Sequence, residues 1–133
     1  MFTNVRKLNS NREEITRNKL DIAQEECFGF SWDSGKLVFD RPVFVSIINK
    51  SEYALVSEIE KGGFIRIYNS LGNEVTSIHP PKKNDRDLEF LYIQKNKDNG
   101  DIIGLIFTDG KTDYRYKYSL KYGIQSDPVE IGK

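Results

Sequence analysis

One cysteine, one histidine, one tryptophan and only two alanines occur in the 133 residues. Each scarcity excludes something. A lone thiol, Cys27, forms no intramolecular disulfide, so the expected fold does not depend on an oxidising compartment. One Cys and one His fall short of the usual ligand set for zinc. Few alanines, against plentiful Ile, Val, Phe and Tyr, turn the composition from helix toward strand. Neither sign of charge is in excess: 20 basic and 20 acidic side chains cancel, which removes a global pull toward nucleic acid or anionic membrane. No run nears the roughly 20 apolar residues of a membrane-spanning helix. The opening MFTNVRKLNSNREE has no apolar stretch of the kind a secretory leader requires. The expectation is a cytoplasmic protein with neither metal nor other cofactor.

What is present describes a globular chain. Hydrophobic residues make up 38% and charged residues 30%, a balance that suits a packed core in water. The length fits one domain, 1–133. Ser10 or Asn11 followed by Glu13 and Glu14 reads as a helix start, and Ile15 and Ile22 share a helical face. One N-terminal helix is therefore expected over about 11–26. From Cys27 to about residue 122, strand-like runs alternate with turn residues: CFGFSW, KLVF, VFVSIIN, EYALVSEI, FIRIY, EVTSI, LEFLYIQ, IIGLIF and YRYKYSLKY. Asn99-Gly100 and Asp109-Gly110 supply positive φ angles for tight hairpins. The expected fold is mainly β, an antiparallel meander of about eight to nine strands closing as a barrel or sandwich. PPKKNDRD (80–87) reads as a loop, and 123–133 as an irregular tail.

Two strands carry the clearest patterns. IIGLIF is apolar on both faces, as in strands covered on each side. In the last strand Tyr114, Tyr116, Tyr118, Leu120 and Tyr122 alternate with Asp113, Arg115, Lys117, Ser119 and Lys121, which predicts one dry face and one wet face. That alternation also separates aromatic from basic groups, whereas a single-strand nucleic-acid platform needs both on one surface.

Motifs that would carry chemistry fail on spacing. Gly110-Lys111-Thr112 resembles the end of a phosphate loop, but five residues, not four, separate Gly104 from Gly110, and a strand follows where a helix is needed. NKDNGD with Gly100 at the sixth position of a calcium loop puts lysines at the first and third positions and Ile106 at the twelfth. His79, before Pro80, is placed at a strand end, and no nucleophile or orienting carboxylate is tied to it by spacing. Cys27 reads as buried and structural. No catalytic residue is assigned.

Charge distribution says more than charge total. Residues 1–20 hold five basic and two acidic side chains, and 21–60 hold eight acidic and three basic. Glu52, Glu58 and Glu60 alternate with Ala54 and Val56 on one predicted strand face, with Tyr53, Leu55 and Ile59 turned inward. These carboxylates, with Asp33 and Asp40, form a candidate acidic docking surface for a basic protein, with Trp32 as an aromatic anchor. In size, compartment and the acidic 21–60 stretch the chain resembles the immunity proteins of bacterial toxin–immunity pairs. That resemblance implies a stoichiometric inhibitor that occludes the active site of a specific basic toxin domain, often a nuclease. Two other readings stand beside it: a small β-barrel holding an apolar ligand, and an enzyme using carboxylates or His79.

Overall fold

The computed structural model describes residues 1–15, 26–48, 50–59, 65–95, 102–120, 123–124 and 129–132. The chain is mainly β, in antiparallel sheets. The backbone gathers into two compact units, Met1–His79 and Pro80–Lys133.

In the first unit six strands follow one another across a single sheet: β1 (Arg6–Leu8), β2 (Cys27–Trp32), β3 (Gly35–Ile48), β4 (Tyr53–Glu58), β5 (Ile65–Asn69) and β6 (Glu74–Ile78). Among the described residues these six strands do not close as a barrel. KLVF and VFVSII, expected as two strands divided at Pro42, are one strand with a large bulge. Cys27 pairs with Val43 and Gly29 with Val38, so Phe28 alone faces residues 39–42. Proline donates no ladder bond and is tolerated at such a bulge, where the strand can bend without losing a partner. Gly29 is required beside it: its φ is +152°, and a Cβ there would lie 2.4 Å from the Leu37 carbonyl oxygen.

The bend folds the sheet over its own face. Phe39 on β3 reaches Tyr68 on β5 across the intervening strand, with ring centroids 6.2 Å apart. Inside the fold lies a core of Phe2, Cys27, Phe30, Trp32, Val43, Val45, Ala54, Val56 and Tyr68. Phe2 stacks edge-on against Trp32 at 4.9 Å and lies 5.8 Å from Phe30, geometries that suit the ring quadrupoles. The opposite face of β4 and β5 is buried too, through Leu55, Ile65 and Ile67.

Residues 11–15, expected to open the helix, form a hairpin instead. Asn9 takes Glu13 as its backbone partner, Leu8 bridges Glu14, and the Ile15 N–H donates to the Lys7 carbonyl. The cause is the Asn9 carboxamide, whose Oδ1 accepts the N–H groups of Asn11 and Glu13. This side-chain bond offers the backbone a turn in place of a helical start. Residues 16–25, the rest of the expected helix, lie outside the described residues, as do Asn99-Gly100, Lys121 and Tyr122.

In the second unit, β9 (Glu89–Lys95), β10 (Ile102–Thr108) and β11 (Asp113–Ser119) pair in succession. Ile103, Leu105, Ile106 and Phe107 are all at most 3% exposed, as the doubly apolar pattern of β10 predicts. Tyr114, Tyr116 and Tyr118 are buried as expected, but of the face expected to be wet only Lys117 is exposed, while Asp113 and Arg115 are half-buried and Ser119 is 1% exposed. The Asp109-Gly110 hairpin forms, but with four loop residues between Thr108 and Asp113, and only Gly110 at positive φ. Asp109 holds the turn by accepting the Thr112 and then the Lys111 N–H groups, which pull its carboxyl below the ordinary range.

Two segments read as irregular are ordered into strands. Within 80–87, β7 (Lys82–Lys83) and β8 (Arg86–Asp87) pair through Asn84 and Asp85, both at positive φ as a two-residue hairpin turn demands. In the tail, β12 (Gly123–Ile124) and β13 (Val129–Gly132) pair along one edge of β11. Ladder bonding at an open strand edge stabilises backbone with little help from side-chain pattern, so periodicity does not mark it.

Candidate interaction surface

Among the described residues, those singled out for docking do not form one face. Trp32 is 7% exposed, its ring in the aromatic core and its Nε1 shared between Ser34 Oγ and the Ser70 carbonyl oxygen, each at 3.0 Å. It is a core residue rather than a surface anchor. Ala54 and Val56, expected on a solvated face, are 0% and 3% exposed within the core. No continuous acidic strip therefore joins Glu52 to Glu58. Glu58 faces Arg66, whose Nη1 lies 3.5 Å from its Oε1 while Arg66 Nε lies 3.4 Å from Glu74 Oε1. Asp40 is exposed at the β3 bulge. Glu60 lies outside the described residues.

Asp33 and Glu52 do come to the same end of the first unit. The link is residues 1–4, in which the sequence reading saw no role. The Phe2 N–H donates to the Ser51 carbonyl at 2.7 Å, beside Glu52 in the β3–β4 turn. Thr3 Oγ1 donates to Asp33 Oδ2 at 2.8 Å, and Asn4 Nδ2 donates to both Asp33 oxygens at 3.0 Å. The Met1 amine donates to Ser70 Oγ at 2.9 Å. Turns β2–β3, β3–β4 and β5–β6 are thus tied together by one short segment, pinned by the buried ring of Phe2. The bonds from Asn4 and then Thr3 hold the Asp33 carboxyl below its ordinary value, so it is charged at neutral pH.

This end also carries exposed apolar side chains. Leu71, in the β5–β6 turn, is 82% exposed, and Met1 is 63% exposed. Val75, at the start of β6, is also exposed. The turn beneath Leu71 is rigid: Asn69 Oδ1 accepts the Leu71 and Asn73 N–H groups, and the Asn69 and Asn73 backbones bond at 3.0 Å. An apolar residue inside the polar turn NSLGN was the available signal for Leu71. For Phe2 there was none, because a single aromatic at position 2 has no period.

The reactive side chains are dispersed. Cys27 is 1% exposed, with Sγ 3.6 Å from the Val43 carbonyl oxygen. His79 is exposed just after β6. Among the described residues no three His, Cys, Asp or Glu side chains are grouped to hold a metal, and no helix is long and apolar enough to cross a membrane. Comparison of the chain with family models, with curated proteins and with solved structures gave no match.

Proposed function

We propose that this chain is a stoichiometric protein-binding inhibitor of the immunity-protein kind, which neutralises a basic toxin domain by covering its active site. The observation that carries the reading is the turn end of the first unit. Three hairpin turns are locked to one another by residues 1–4 and hold Leu71 outward, with the carboxylates of Asp33 and Glu52 on the same end. Turns on a rigid sheet are a common place for recognition. A preorganised set of exposed apolar side chains with charged surroundings loses little entropy on binding and steers an oppositely charged partner. Toxin nucleases are a class whose basic surfaces suit such carboxylates. The apolar-ligand barrel has less support, since among the described residues the six strands do not close into one.

The test is capture of a partner from the source cell in low and high salt, followed by co-expression. The expected result is one protein retained at one-to-one stoichiometry, released by salt, whose toxicity to a host cell disappears when this chain is made alongside it. A retained protein that stays toxic in the presence of this chain would count against inhibition.

A further inference from the structure

Two polar atoms in the second unit are shut off from water without a partner. Asp113 Oδ1 and Arg115 Nε are buried, and neither makes a hydrogen bond among the described residues. A buried group left in this state costs about 1–3 kcal/mol, so an acceptor and a donor side by side form an unfinished interaction. The two residues stand two apart on β11, on the same side of the sheet, and each keeps part of its surface exposed. Asp113 shares that side with Thr108 and Glu89, and Arg115 shares it with Ile106, Tyr92 and Val129, since directly paired residues point the same way. One row further on stand Gly104, Gln94 and Lys117. Tyr92 and Val129 are 39% and 46% exposed, and Gln94 and Lys117 are exposed, so this face is open.

We infer that this face packs on the same face of a second copy of the chain, with Asp113 of each copy bonded to Arg115 of the other. The contact uses the second unit alone and does not depend on the inhibitor reading. The charges on the face point to that occupant. Glu89 and Asp113 lie in one row and Arg115 and Lys117 in the next two, so the face is neutral in sum but acidic at one end and basic at the other. The adjoining turn adds Asp109 and Lys111, which cancel. A strongly charged partner of either sign meets as much repulsion as attraction here. A copy turned through a two-fold axis that crosses β11 at Tyr114 reverses the order and sets Asp113 of one chain against Arg115 of the other, twice. Nε and one Nη of each guanidinium then take the two oxygens of a carboxylate, the bidentate pairing that suits both groups. Tyr92 and Val129, in the row of Arg115, supply apolar surface beside the two pairs.

The test is sedimentation velocity of the full-length chain at concentrations up to about 1 mM, where small interfaces assemble. The wild type is expected to dimerise. Asp113→Arg alone and Arg115→Asp alone are each expected to be monomeric, because each sets like charges face to face twice. Mixed together, the two variants are expected to form a one-to-one heterodimer, since one chain then offers two cations and the other two carboxylates at the paired positions. Thermal melts show whether each variant is folded. If charge reversal unfolds either one, Asp113→Asn and Arg115→Gln take their place, each expected to weaken dimerisation roughly ten- to a hundredfold. A wild type that stays monomeric overturns the inference, as does a dimer that these variants leave intact, or a mixture of the two reversed chains that stays monomeric. Binding of inorganic phosphate by a monomeric wild type, lost in Arg115→Gln, would name an anion as the occupant and likewise overturns the second copy.

Discussion

Arg12 and Gly72 adopt the same left-handed conformation, at φ 63° and 85°, yet only one of them is built for it. An L-residue in that region pays about 1–2 kcal/mol through its Cβ, while glycine does not. Arg12→Gly is therefore expected to raise stability by about 0.5–1 kcal/mol, and Gly72→Ala to lower it by about 1 kcal/mol, both read as shifts of the denaturant midpoint. Space is not the obstacle at Gly72, since an added Cβ would lie 3.9 Å from Trp32. Asp33 makes a second residue-scale case. Asn4 and Thr3 lower its carboxyl from the ordinary 3.8. A depressed folded value means the contribution is complete above 3.8 and is lost as pH falls through the lowered value. Asp33→Asn is expected to flatten that acid limb, followed through Trp32 fluorescence. An unchanged acid limb would show that the clasp of residues 1–4 on Asp33 adds nothing to stability.

At the scale of elements, what decides is which partner each segment finds. The sequence SNREEI has a good cap and first-turn carboxylates for a helix, yet Asn9 draws residues 9–13 into a hairpin. Local helical preference is weak, and a side-chain bond with a ladder partner outweighs it. Pro42 likewise marks a bend in β3 instead of its end, because a bulge gives the missing N–H nothing to lose. The segment formed by residues 1–4 has no period at all, and its position depends on Phe2. Phe2 is 3% exposed among Phe30 and Trp32, so Phe2→Ala is expected to cost about 3–5 kcal/mol by emptying that space. It should also shift Trp32 emission. A loss below about 1 kcal/mol would mean that residues 1–4 merely lie on the sheet.

For the whole molecule, zero net charge conceals an uneven surface, and pairing redistributes it further. Glu58 and Glu74 share Arg66, whereas Glu52 is exposed in a turn that meets residues 1–4. Glu52→Lys is expected to slow association with a basic partner several-fold at low salt, with the difference shrinking as ionic strength rises past about 0.15 M. Glu58→Lys should instead act on the fold, by placing a cation beside Arg66. Stopped-flow association at two salt concentrations, with thermal melts of both variants, separates the outcomes. Equal rates for Glu52→Lys and wild type at low salt would remove charge steering from the account.

By itself the sequence determined the β class, most strand positions, the dry face of β11, the two buried faces of β10 and the burial of Cys27. These follow from period and composition, which local chemistry imposes before any partner is chosen. Only tertiary structure decided that Trp32 is core, that the face of Ala54 and Val56 is dry, and that residues 1–4 bring Asp33, Glu52 and Leu71 to one end. A strand's period says that its two faces differ but not which is covered. Here the bend at Pro42 folds one sheet onto itself and buries the face that Glu52 and Glu58 had marked as wet. Charges at the ends of a strand report where its ends are, and the cover over its middle comes from residues distant in sequence.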